Sequence, residues 1–196
     1  MISGAFILAS ICWAITFGWT GGNFWVKIGV SVVTVTLYSL FWQKPRISFQ
    51  PRSLLTGFLS AVILYFIFWL GNILAPYILP GAKAQVGGIY ALGVGTNKIL
   101  IFLLLFFITG PGEEIFWRGF LQDRLMARWG KVAGYLITTA VYAGVHLFSW
   151  NLLLVLAALV AGAFWGLLYL WKRNLLIQII SHSLWSAVIF AVVPVQ

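Results

Sequence analysis

Seven apolar runs, each near the length of about 20 residues that lets a helix cross the hydrocarbon core of a bilayer, follow one another along this chain. They are Ile2–Trp19, Phe24–Trp42, Leu54–Leu79, Ile99–Gln122, Val132–Trp150, Leu152–Trp171 and Leu175–Val193. Inside lipid every backbone N–H and C=O must find its partner within the protein, so runs of this length read as helices. The pattern predicts an all-α, polytopic transmembrane helix bundle, with residues 1–196 forming a single membrane domain. The third run holds Gly71, Asn72 and Pro76, which predict a kink or a tilt. Residues 82–98, AKAQVGGIYALGVGTNK, are too polar to span comfortably and predict a loop or a short interfacial helix; if they insert, the spans number eight. The first run lacks a basic leading segment and a small-residue cleavage site, so it reads as a transmembrane helix and not as a signal peptide.

Charge supports the same placement. Only 8% of the residues are charged, against about 25% in a soluble domain. The net charge of +9 does not indicate nucleic acid, because the basic residues sit at the ends of apolar runs and not on one solvated face; lipid phosphates are their expected partners. With the N-terminus in the cytoplasm, the inside loops hold Lys44, Arg46, Arg52, Arg124, Arg128, Lys131, Lys172 and Arg173, against Lys27, Lys83 and Lys98 outside. The positive-inside rule therefore favours a cytoplasmic N-terminus and an external C-terminus. The segment from Gln122 to Lys131 reads as an amphipathic helix end at the headgroups. The one cysteine, Cys12, lies within an apolar run and reads as a small buried hydrophobe.

The ionisable inventory is short. The acidic residues are Glu113, Glu114 and Asp123, and the histidines are His146 and His182. Four of these five fall inside expected spans, where a charged group is costly and marks function by default. In GPGEEIFWRGFLQDRL, Pro111 and its flanking glycines allow a helix break. Adjacent glutamates on a helix point about 100° apart, and Arg118 is four residues after Glu114, so Glu114–Arg118 is the natural ion pair. Glu113 is then free to face another helix.

A glutamate beside a histidine can hold and deprotonate a water, and a second histidine can donate to an oxyanion. Glu113, His146 and His182 would equally make a three-ligand zinc site with an open position, so the residues leave metal-free and zinc-dependent hydrolysis both open. A lone buried histidine in a bundle can instead serve as a helix–helix hydrogen bond. Intramembrane Glu and His also carry protons in transporters, although only one interrupted region, Gly110–Gly112, is present where transporters show a matched pair. HExxH, a second catalytic aspartate and a GxSG nucleophile are absent.

The order and spacing of these residues resemble the CPBP family, the Abi or CAAX-protease-and-bacteriocin-processing proteins that include the Rce1-type prenyl-protein endopeptidases. EEIFWRGFLQDRL resembles the first motif. Tyr142-Ala-Gly-Val-His146 stands where the family has Phe-x-x-x-His, AGAFWGLLYL with Phe164 and Gly166 resembles its aromatic-and-glycine helix, and His182-Ser-Leu-Trp-Ser186 stands where it has His-x-x-x-Asn/Asp. The resemblance covers residues 99–190, a CPBP-like core preceded by variable helices in 1–98. It implies an intramembrane endopeptidase with a cytoplasm-facing cavity. Glu113 would activate water with His146 as partner, His182 and Ser186 would donate to the oxyanion, and Glu114, Arg118 and Tyr142 would support them. It implies a membrane-associated protein or peptide substrate in a bacterial or archaeal plasma membrane, and no certain cofactor beyond the zinc alternative. Ser186 is the main departure: a hydroxyl reaches less far than an amide, and losing an oxyanion donor typically costs about 10²–10³ in rate. A catalytically reduced scaffold or immunity-type protein is the reading that this departure supports.

Overall fold

The computed structural model describes residues 1–195. Eight helices follow in order: α1 (Ile2–Gly18), α2 (Phe24–Trp42), α3 (Pro51–Ile78), α4 (Ala82–Ala91), α5 (Lys98–Trp129), α6 (Lys131–Ser149), α7 (Leu152–Trp171) and α8 (Leu175–Val192). Six are long and apolar enough to cross a membrane, and α1 falls just short at 17 residues. The all-α polytopic architecture read from the sequence is thus the observed one. The segment 82–98, expected as a loop or interfacial helix, contains the short helix α4, which spans 10 residues.

The surface is what a lipid solvent selects. Along α3, Leu55, Phe58, Ile63, Phe66 and Tyr77 are exposed, while its few buried residues are small or polar: Ser53, Gly57, Ser60 and Ala61, with Leu64. Lipid tails are as apolar as leucine, so burial of leucine does not drive the helices together; close packing at small residues does. A Cβ on Gly57 would stand 2.8 Å from the Cβ of Ile180 on α8, and one on Gly134 would stand 2.3 Å from the backbone N of Met126. These contacts seat α3 on α8 and fold α6 back along α5.

The anticipated break at Gly110–Gly112 does not occur. The chain stays helical from Lys98 to Trp129, with wider, π-type turns over Leu105–Thr109 and Ile115–Gln122 on either side of Pro111. Such turns absorb the proline in a helix and recur at functional sites. The glycines serve packing instead. A Cβ at Gly110 would lie 2.8 Å from Ser183 Cα on α8, and one at Gly112 would lie 2.6 Å from Val32 on α2. Residues 110–114 are thereby pressed between two helices, which fixes the heading of the glutamates that follow.

The two ends of the bundle differ. One end gathers the α2–α3 linker, the end of α5 and the α7–α8 turn. There Asp123 accepts from Arg173 and from Gln43 Nε2 at 3.2 Å, and Arg124 donates to Gln43 Oε1 at 2.8 Å and to the Trp42 carbonyl at 2.9 Å. The other end carries α4, which is tied to the α6–α7 turn by Asn151 Nδ2 donating to the Gln85 carbonyl at 2.8 Å. Trp25 Nε1 donates to the Leu92 carbonyl there at 2.9 Å.

Candidate active site

Glu114 lies at the centre of the buried polar network. It is fully buried, and its Oε1 accepts from Arg118 at 2.8 Å and from His182 Nδ1 at 2.7 Å. The i,i+4 pair expected from the sequence therefore forms, and it extends to α8. Arg118, only 1% exposed, also donates to the Gly162 carbonyl on α7 at 3.1 Å. Its guanidinium lies 4.9 Å from the centre of the Tyr142 ring and 5.4 Å from that of Trp165, and a cation is attracted to both faces. One arginine thus joins α5, α6, α7 and, through Glu114, α8. Losing it would strand a buried carboxylate, a change that typically costs about 3–5 kcal/mol.

His182 is oriented from two sides. Glu114 holds Nδ1, and the Trp165 ring stacks on the imidazole with centroids 3.8 Å apart and planes 15° from parallel. Trp165 is in turn fixed by donating Nε1–H to Ser181 Oγ at 3.1 Å. Nε2 is the ring atom left for the cavity.

His146 is held differently. Its Nδ1 is 2.7 Å from the Tyr142 carbonyl, to which it can only donate, and its Nε2 accepts from Trp13 Nε1 at 3.4 Å. Together the two contacts select the neutral ring with its proton on Nδ1. The Trp13 side chain, fully buried on α1, packs edge-on against Trp117 at 5.6 Å.

Glu113, one residue from Glu114, has a different environment. It is buried and lines a cavity of about 130 Å³ that Glu114 does not border; the Oε2 of each glutamate has no hydrogen-bond partner. Tyr142, His146, His182 and Ser186 line the same cavity. The structure thus brings together on one wall or another every side chain singled out for the reaction, from α5, α6 and α8. Glu114 and Arg118 lie beneath it, where they brace His182.

Ser186 is engaged. Its hydroxyl donates to the His182 carbonyl at 2.8 Å, the back-bond common for serine within a helix. To serve an oxyanion it must rotate out of that bond. Among the described residues no three His, Cys, Asp or Glu side chains are gathered as a metal site. His146 spends both ring nitrogens on protein partners, and His182 spends one on Glu114.

Trp13, Gly162 and Trp165 were not legible as site residues. Trp13 lies on α1, far from any motif, and a tryptophan in an apolar run carries no signal of its partner. Gly162 did carry one, since it falls within the aromatic-and-glycine stretch; a Cβ there would meet Tyr142 Cδ1 at 2.8 Å.

Residues 95–188 match the family described as Rce1-like, type II CAAX prenyl endopeptidase Rce1-like. No curated protein and no solved structure matches the chain. The matched segment contains Glu113, Glu114, Arg118, Tyr142, His146, His182 and Ser186, and leaves out α1, which supplies Trp13. The chain thus carries an Rce1-like domain in residues 95–188, within a set of six helices long and apolar enough to cross a membrane.

Proposed function

We propose that the protein is an intramembrane endopeptidase in which Glu113 activates a water molecule. The observation that carries this reading is that Glu113, alone of the two glutamates, lines a cavity that His146 and His182 also line.

The steps follow from the side chains. Glu113 takes a proton from water as the water oxygen bonds to the carbonyl carbon of the scissile peptide, and the carbonyl oxygen becomes an oxyanion. His146 keeps Nδ1 on the Tyr142 carbonyl and exchanges the Trp13 contact at Nε2 for the water beside Glu113. His182, with Nδ1 on Glu114, turns Nε2 toward the oxyanion and donates a hydrogen bond to it. Glu113 then passes its proton to the peptide nitrogen, the C–N bond breaks, and a new carboxyl end and a new amino end result. A general acid–base group of this kind contributes typically about 10²–10⁴ in rate. The substrate is a membrane-associated protein or peptide, because Glu113 is reached only within the bundle.

The test compares cells making the wild type, Glu113→Gln and His146→Ala, with mass spectrometry of membrane-protein termini. New termini should appear with the wild type and be missing with both variants, while all three proteins accumulate equally in the membrane. Termini that persist in both variants would refute the reading.

A further inference from the structure

The lining of the cavity around Glu113 extends to one end of the bundle. Besides Glu113 and the histidines it is lined by Phe17, Phe24, Leu92, Leu154 and Phe190. These come from the end of α1, the start of α2, the segment after α4, the start of α7 and the end of α8, so they share the end that carries α4. On the other side of Glu113, a floor of side chains closes the bundle. Phe116, Trp117, Phe120, Leu121, Trp165 and Leu175 are each at most 1% exposed. Beyond that floor lies the basic end.

Lys and Arg distribute unequally about this floor. Lys44, Arg46, Arg52, Arg124, Arg128, Lys131, Lys172 and Arg173 lie at the basic end, while Lys27, Lys83 and Lys98 lie at the α4 end. Basic residues in short loops mark the cytoplasmic side. Two expectations from the sequence, a cytoplasmic N-terminus and a cavity facing the cytoplasm, cannot both hold in this bundle, because α1 begins at the basic end and finishes at the cavity.

We infer that the site takes its substrate from the non-cytoplasmic half of the bilayer. As to substrate, the inference rests on the peptidase reading; as to orientation, it does not. A second cavity lies at the same end, about 510 Å³ in volume and bounded by the later part of α3, α4, α7 and α8. Ile89, Leu154, Ala157, Trp185 and Phe190 line both cavities. This chamber is lined almost wholly by apolar side chains of α3, α4, α7 and α8, and it shares a wall with the cavity around Glu113. The apolar stretch of a polypeptide adjoining its scissile bond is the occupant that this continuity favours.

Orientation can be read without any activity. Single cysteines are placed at exposed Ala84, on α4, and at exposed Ala127, beside the basic end, in a Cys12→Ser background. The protein is made in a bacterial plasma membrane and treated with a membrane-impermeant maleimide. Ala84→Cys should label in intact cells, and Ala127→Cys only after permeabilisation. The reverse pattern, or labelling of both in intact cells, would overturn the inference. A second arm maps the Glu113-dependent termini onto their substrates. They should fall in the non-cytoplasmic half of substrate segments, and termini confined to the cytoplasmic half would overturn it too. If no termini depend on Glu113, it is the peptidase reading that fails, and the labelling still decides the orientation.

Discussion

The half of the bundle on the basic side of Glu114 and the half on its other side are built to different ends. The basic half is closed. Phe116, Trp117, Phe120 and Trp165 are fully buried there, Arg118 joins four helices, and Asp123 accepts from both Gln43 and Arg173. The other half is open: two cavities share part of one wall there, and Glu113 lines the smaller. Two adjacent glutamates fall on either side of this division. Rigidity beneath a site and space above it is what preorganised chemistry requires, since reacting groups must be held in place while substrate enters.

The sharpest way to break the comparison is at the open side. Glu113→Gln should lower the yield of new membrane-protein termini by about 10²–10⁴-fold and leave the melting temperature in detergent unchanged. On the closed side, Arg118→Leu should destabilise the fold by about 3–5 kcal/mol by stranding Glu114, read as a fall in thermal midpoint. A Gly110→Ala change would press a methyl group onto Ser183 and should cost about 1–3 kcal/mol, as overpacking does, again read as a thermal midpoint. Ser186→Ala should reduce cleavage by less than about tenfold, because its hydroxyl is spent on the His182 carbonyl; a loss of about 10²–10³-fold would identify it as an oxyanion donor after all. Gly71 borders the apolar chamber, with nothing within 4 Å of a Cβ built there. Gly71→Trp should therefore raise KM with little change in kcat.

Much of this division could be read from the residues, and the reasons are physical. A chain with three acids and two histidines leaves few ways to assemble a polar site in lipid, so Glu113, Glu114, His146 and His182 stood out. Helical spacing then fixed the Glu114–Arg118 pair. Pro111 misled because a proline flanked by glycines suits a break as well as a continuous helix with π-type turns; only the packing of Gly110 and Gly112 on α8 and α2 selects the second. Trp13 was hidden because its partner is 133 residues away. The Ser186 back-bond was equally hidden, since sequence gives a hydroxyl's presence and not its rotamer.

The central claim is that neighbouring glutamates divide the work, Glu113 for chemistry and Glu114 for structure. It is tested most directly by placing Glu113→Gln and Glu114→Gln side by side, with cleavage and thermal midpoint measured on each. The account predicts that Glu113→Gln loses cleavage and keeps its midpoint, and that Glu114→Gln loses midpoint because Arg118 and His182 lose their carboxylate. Retained cleavage in Glu113→Gln, or an unchanged midpoint in Glu114→Gln, would contradict it.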